Sequence, residues 1–236
     1  MKKIFAIACK EVKSLFNAPM AYIVLVITVT VFNFFFFLII DENREASLRD
    51  MFKLMEFMFV FIAPLLTMKI FAEEKLTGTM EFLATTPTTN SQVVLGKFFG
   101  ILTFYTFLIM LTGIYYVVIE AFSSIDIFAM LSGYLGIWLE GAFFIAIGLM
   151  TSSWTPNQII AALSSYVILI SLYISISLVK YLSGSGLEVI RAISSWSHSQ
   201  NLFAGIISTC DVMYFLSGIL VCLLITRLSI ENRLWR

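Results

Sequence analysis

Residues 20–40 read Met-Ala-Tyr-Ile-Val-Leu-Val-Ile-Thr-Val-Thr-Val-Phe-Asn-Phe-Phe-Phe-Phe-Leu-Ile-Ile, a run of 21 positions without a charged side chain. A helix needs ~20 mostly apolar residues to cross the ~30 Å hydrocarbon core of a bilayer. A strand of a membrane β-barrel needs only ~9–11 residues, and these alternate between apolar and polar. The length and unbroken apolar character of this run therefore predict a transmembrane helix.

Five further runs of the same kind follow toward the C-terminus. Glu56 and Lys69 lie near the two ends of the second predicted span, where they can reach lipid headgroups. Glu140 lies in the middle of the fourth span and Arg227 at the end of the sixth. The six predicted spans cover residues 20–40, 54–71, 98–119, 127–150, 159–179 and 212–228.

The composition of the whole chain agrees with a membrane protein. Of the 236 residues, 60% are hydrophobic and 13% are charged, whereas soluble domains average ~45–50% and ~25%. The net charge is zero, so no electrostatic argument favours a nucleic-acid partner. Three scattered cysteines and one histidine form neither a disulfide framework nor a metal site. We predict a single all-α integral membrane domain over residues 1–236, in contact with lipid and without a bound metal.

Residues 1–17 predict an amphipathic helix that lies on the membrane surface. Its lysines share one side of the helix and can contact anionic headgroups, and Pro19 separates it from the first span. It is either a plain membrane anchor or an elbow helix that also touches a cytoplasmic partner. The apolar arc on its other side consists of Ile4, Phe5, Ala8, Val12, Leu15 and Phe16.

The distribution of lysine and arginine predicts the orientation of the chain. With the N-terminus inside, ten of these residues fall in cytoplasmic segments and five in outer segments. Positively charged residues are enriched in cytoplasmic loops. We therefore expect a multi-pass protein of the bacterial inner membrane with both termini in the cytoplasm.

The predicted cytoplasmic segment between spans 2 and 3 contains its own short helix. Gly78 favours a turn, Thr79 is a good N-cap, and Pro87 ends the helix. Such a helix is continuous with two spans, so a soluble partner that pushes it could move the spans as rigid bodies. The alternative is that its acidic residues only keep a loop in solution.

The same segment carries a recognisable pattern. Glu-Glu-Lys-x-x-Gly-Thr-x-Glu-x-Leu-x-x-x-Pro, followed by Val-x-Leu-Gly-Lys, resembles the signature of ABC-2-type permeases, most closely those of the gliding-motility type GldF and next the NosY type. The resemblance implies a coupling helix that docks on an ATPase. The residues at the motif positions are Glu73, Glu74, Gly78, Thr79, Glu81, Leu83, Pro87, Gly96 and Lys97.

The resemblance also implies the partners of the chain. An ABC exporter combines two ATPase subunits with two six-span permeases, so the second permease is either a copy of this chain or a GldG-like protein. ATP and Mg²⁺ would be bound by the ATPase, and this chain would not be an enzyme. Consistent with this, Gly96-Lys97 is followed by Phe98 and not by the Ser or Thr of a phosphate-binding loop. The alternative is a membrane scaffold that performs mechanical work without transporting a solute.

Two further regions carry candidate functional residues. Glu140 would either contact a substrate or a proton or form a helix–helix hydrogen bond, for which Asn33 is a candidate partner. Residues 180–211 are too apolar for a solvated loop, and we expect two half-helices there that re-enter the membrane before span 6. The resemblance implies the same pair, acting as an outer gate. His198, in this segment, is expected to be a structural hydrogen-bonding residue.

Overall fold

The computed structural model describes residues 2–43, 48–79, 88–121, 126–175, 192 and 194–234. Within these ranges the chain forms eight helices and no strand. In chain order they are α1 (Lys2–Asn17), α2 (Pro19–Asn43), α3 (Arg49–Leu76), α4 (Asn90–Glu120), α5 (Ile127–Ser152), α6 (Gln158–Ile174), α7 (Ser195–Phe203) and α8 (Thr209–Leu234).

Five of these helices, α2, α3, α4, α5 and α8, are long and apolar enough to cross a membrane. The fifth predicted span, 159–179, corresponds to α6, an apolar helix of 17 residues that ends at Ile174. Helices α2, α3, α4, α5 and α8 extend beyond the corresponding predicted spans, and α4 begins at Asn90 because Thr89 caps it. The Thr89 side chain accepts a hydrogen bond from Gln92 N, while the Gln92 side chain accepts one from Thr89 N.

The core of the described bundle is built around α5. This helix contacts α3, α4, α6, α7 and α8. In its most apolar stretch of 18 residues, 89% are buried, against 22% in the corresponding stretches of α2 and α8. Glycines allow the neighbours to approach: Gly141 lies against Tyr105 of α4, and Gly148 lies against Thr67 of α3. The exposed apolar side chains of α2 and α8 are the surfaces available to lipid or to another subunit.

The long helices run antiparallel, so the bundle has two ends. At one end, α3 and α5 finish and α4 begins. We call this the α1 end, because α1 packs against α4 there. The other end, where α7 lies between α5 and the start of α8, is called the far end.

Candidate coupling site

A buried lysine joins three helices at the α1 end. Lys97 of α4 is 2% exposed and forms ion pairs with Glu11 of α1 at 3.3 Å and with Glu74 of α3 at 2.7 Å. Its ammonium group also donates to the Ile70 carbonyl oxygen at 3.1 Å and lies 5.1 Å from the centre of the Phe71 ring. We call Glu11, Glu74 and Lys97 the ion cluster. It connects the surface helix directly to the two spans that flank the motif-bearing segment.

The ion cluster depends on a close approach of α1 to α4. A Cβ atom added to Gly100 would lie 2.6 Å from Glu11 Cβ, and one added to Gly96 would lie 2.7 Å from Ile7 Cβ. Gly96 and Gly100 are four residues apart and therefore lie on one face of α4. Any side chain at these positions would push α1 away from Lys97.

A second set of hydrogen bonds fixes the end of α3 to the end of α5. Ser152 Oγ donates to the Met68 carbonyl oxygen at 3.0 Å and accepts from Phe71 N at 3.1 Å and Ala72 N at 3.2 Å. Lys75 Nζ donates to the Ser153 carbonyl oxygen. Ser229 Oγ of α8 donates to the same oxygen at 3.0 Å. A displacement of the end of α3 would therefore also move α5 and α8, in addition to α1 and α4.

The chain leaves α3 through an exposed turn. Thr77 N donates to the Glu73 carbonyl oxygen at 2.9 Å, and Gly78 has φ 70°, a left-handed conformation that glycine adopts without strain. Thr79 Oγ1 donates to the Glu74 carbonyl oxygen at 3.3 Å. The turn predicted at Gly78 is confirmed.

The structure describes four of the seven predicted coupling residues from Glu73 to Pro87. Glu73 is exposed, whereas Glu74 belongs to the ion cluster. Gly78 and Thr79 form the turn. Glu81, Leu83 and Pro87 lie outside the described residues.

Sequence reasoning missed Glu11 as a member of this site. Among the residues of α1 it is the one acidic side chain, and it lies beside the apolar arc, next to Ile4 on a helical wheel. A lone acid at the edge of an apolar face was the available signal, but nothing in the sequence indicates that its partner is Lys97, 86 residues away.

A comparison with protein-family models matches residues 5–229 to the family described as ABC-2 family transporter protein. The chain belongs to the ABC-2 family of transporter proteins. A search of the curated proteins found no significant match. As an ABC-2 protein it is a multi-pass membrane protein, and its family supplies the transmembrane subunits of ABC transporters, which work with an ABC ATPase.

A second polar site of this ABC-2 protein lies deep in the bundle. Glu140 is 1% exposed and accepts a hydrogen bond from Ser195 Oγ of α7 at 2.6 Å. Asn33 has a different partner, because its Oδ1 accepts from Tyr115 OH at 3.0 Å. The structure therefore does not bring Glu140 and Asn33 into a hydrogen bond.

The expectation that Glu56 reaches lipid headgroups is wrong. Its side chain is 1% exposed and accepts a hydrogen bond from Ser199 Oγ at 3.0 Å. The position of Glu56 in the sequence indicates how deep it lies in the membrane, but not which way its side chain points. The rotation of α3 about its axis points this side chain inward, toward α7. Lys69, at the other end of that span, is exposed.

The short helix α7 enters the bundle from the far end. Ser195, at its start, reaches Glu140 in the middle of α5, while the Leu202 carbonyl oxygen, at its end, accepts from Ser132 Oγ at 2.8 Å. Because Glu140 and Ser132 are eight residues apart, α7 rises ~12 Å along α5. α7 lies within residues 180–211, the segment for which two half-helices are predicted. Residues 180–191 of this segment lie outside the described residues.

His198 connects α7 to α8 through a contact with Asp211. Its Nδ1 lies 2.6 Å from Asp211 Oδ1, and its Nε2 lies 3.3 Å from the Ala192 carbonyl oxygen. The ring stacks on Tyr214 with 4.2 Å between the centroids. Asn201 Nδ2 donates to the second carboxylate oxygen of Asp211 at 3.0 Å. The structural role predicted for His198 is confirmed.

Proposed function

We propose that this chain is the permease subunit of an ABC exporter of the GldF type in the bacterial inner membrane. It has six spans, with both termini in the cytoplasm, and residues 72–90 dock on a pair of ATPase subunits that bind ATP and Mg²⁺. It pairs with a second six-span permease, either a copy of itself or a GldG-like protein. Movement of the docked segment opens a path for the substrate between the two permeases.

The ion cluster is the observation that carries this proposal. Glu74 lies three residues before the exposed Thr77–Thr79 turn, and its carboxylate binds Lys97, which in turn binds Glu11. A push on the turn is therefore transmitted to α1, α3 and α4 together. An ion pair with 2% exposure of the lysine is a rigid connection, because separating the charges would leave them unpaired away from water.

The first experiment tests the docking role. The chain and its cognate ATPase are co-purified with Glu73, Glu74 and Glu81 all replaced by Ala, and we expect the ATPase to be lost from the complex. Glu231→Ala is the matched control, since this carboxylate lies on α8 at the same end of the bundle and its side chain is 40% exposed. Unchanged ATPase recovery with the triple variant would contradict the docking assignment.

The second experiment tests the orientation. Thr77→Cys places a thiol in the exposed turn at the α1 end, and the native Cys210 is exposed at the far end. With a membrane-impermeant maleimide on intact spheroplasts, we expect Cys210 to be labelled at once. The thiol introduced by Thr77→Cys should be labelled only after permeabilisation. The reverse pattern would overturn the cytoplasmic placement of the coupling segment.

A third measurement separates transport from mechanical work. An exporter is expected to show ATPase activity in proteoliposomes that rises when its solute is supplied. A scaffold for gliding motility or envelope assembly would hydrolyse ATP at a rate that candidate solutes do not change. The exporter assignment fails if no solute extract from the cell envelope stimulates a complex that is otherwise active.

A further inference from the structure

Two carboxyl groups are buried side by side between α3 and α5. Glu56 and Glu140 are each 1% exposed, and each has one oxygen bound by a serine of α7. The remaining oxygen of each carboxyl group receives no hydrogen bond from any donor in the described part of the chain. Ser195 and Ser199 are four residues apart on one face of α7, so the carboxyl groups that they bind lie next to each other. Two facing acceptor oxygens can form a hydrogen bond only if a proton lies between them.

The charged groups near this carboxyl pair do not supply a donor. Lys53 is one turn away on α3, but its side chain is 41% exposed and binds Asp50 at 2.6 Å. His198, on α7, is held by Asp211 of α8. In the described ranges neither Glu56 nor Glu140 forms an ion pair with a lysine, an arginine or a histidine.

The other titratable neighbours are tyrosines, which are uncharged at neutral pH. Tyr105 has its own partner, because its OH donates to the Ile137 carbonyl oxygen at 2.8 Å. The tyrosines that interact electrostatically with the pair are Tyr105 on α4, Tyr173 on α6 and Tyr214 on α8. The titratable neighbours on α4, α6 and α8 are therefore neutral, and the nearby charge on α3 is Lys53, which binds Asp50 and not the pair.

We propose that Glu56 and Glu140 form a proton-binding site, and that one shared proton keeps α7 docked against α3 and α5. Two neighbouring carboxylates cannot both stay charged in an apolar interior, and a single proton between them satisfies both orphan oxygens. The one negative charge left on the pair is stabilised by the Ser195 and Ser199 hydroxyl groups and by the N-terminus of α7.

Loss of the proton should release α7. With both groups charged, mutual repulsion and the lack of a bridging donor favour moving α7 away, so that water can reach the carboxylates. The docked state holds the proton and the open state does not, so docking weakens as the pH rises. One linked proton changes the ratio of docked to open molecules by at most ~tenfold per pH unit. If the chain is the exporter permease proposed above, this pH-sensitive contact of α7 is its gate at the far end of the bundle.

Hydrogen–deuterium exchange of the full chain in lipid nanodiscs tests this site. The measured quantity is the exchange rate of a peptide covering α7, divided by that of a peptide covering α1, from slightly acidic to alkaline pH. The ratio cancels the chemical pH dependence of exchange. In the native chain we expect it to rise with pH, by up to ~tenfold per unit.

Three variants make the test specific. In Glu56→Gln and Glu140→Gln the amide donates to the remaining carboxylate without a proton, so the exchange ratio should become independent of pH. Glu231→Gln, at a position with a 40% exposed side chain, is the matched control and should behave as the native chain. Gln variants that keep the native pH dependence would overturn the proposal. An exchange ratio that responds to Na⁺ or Mg²⁺ at constant pH would also overturn it, in favour of a metal-ion site.

A measurement on the native chain covers the case in which the Gln variants do not fold. Infrared spectroscopy of the nanodisc sample should show the carbonyl band of a protonated, slowly exchanging carboxyl group at neutral pH. This band should disappear on alkalinisation, over the same pH range in which the amides of α7 lose their protection from deuterium exchange. Absence of the band would contradict a shared proton.

Discussion

Two pairs of carboxyl groups in the described part of the chain are neutralised in different ways. At the α1 end, Glu11 and Glu74 share the ammonium group of Lys97. Deeper in the bundle, the hydrogen-bond donors that Glu56 and Glu140 have among the described residues are serine hydroxyl groups. A lysine is a fixed counter-ion, so the first site is a permanent joint between helices. A proton can leave, so the second site can open.

This difference agrees with the tasks that we propose for the two ends. A segment that receives force from an ATPase requires rigid connections to the spans, and the ion cluster provides them. A gate requires two states of similar free energy, and a carboxyl pair held by hydroxyl groups can provide these when its proton exchanges.

The largest expected effect comes from removing the fixed counter-ion. Lys97→Met keeps most of the side-chain volume but leaves two buried carboxylates unpaired, and we expect it to destabilise the protein by about 3–5 kcal/mol. Thermal unfolding of the purified protein in detergent measures this loss. Lys69→Met, at an exposed position in the same region, is the control and should unfold near the native temperature. Equal unfolding temperatures for the two variants would show that the ion cluster does not hold the helices together.

A smaller effect is expected from separating α1 from the cluster. Gly100→Ala places a methyl group 2.6 Å from Glu11 Cβ, and the overpacking should destabilise the protein by about 1–3 kcal/mol. In the same helix, a Cβ at Gly113 would meet no atom within 4 Å. Gly113→Ala should therefore be neutral or stabilise the helix by about 0.5–1 kcal/mol. The two variants are compared by unfolding and by protease cleavage of α1. If both behave alike, α1 does not depend on its close contact with α4.

At the carboxyl pair, loss of one hydroxyl group should have a moderate effect. Ser199→Ala leaves Glu56 Oε1 without its donor, and we expect a loss of about 1–2 kcal/mol together with faster deuterium exchange in α7. Ser217→Ala is the matched control, because this exposed hydroxyl group bonds only to the Tyr214 carbonyl oxygen of its own helix. Native exchange in α7 of the Ser199 variant would indicate that the serines do not hold this helix.

The smallest effect is expected at an exposed ion pair. Arg227 Nε lies 3.5 Å from Glu231 Oε2, and the two side chains are 46% and 40% exposed. Arg227→Gln should change the stability by less than about 0.5 kcal/mol, because water and salt screen the pair. Unfolding in low and high salt measures this directly. A loss approaching that of Lys97→Met would mean that burial does not account for the strength of the ion cluster.

Much of the fold could be predicted because it depends on residues that are close in sequence. The unbroken run at residues 20–40 predicts a helix by itself, since every backbone group in lipid must be bonded within its own segment. The amphipathic pattern of residues 2–17 and the turn at Gly78 are local features of the same kind. The motif between Glu73 and Lys97 likewise led to the family that the comparison identified.

The partners of the buried charges could not be predicted in this way. Glu56 and Ser199 are 143 residues apart, and Glu11 and Lys97 are 86 residues apart. The sequence determined how deep each charged side chain lies, because depth follows from counting residues along a helix. Only the tertiary structure decided which side chains face each other, because this depends on the rotation and close approach of helices, which are controlled by glycines such as Gly96 and Gly100.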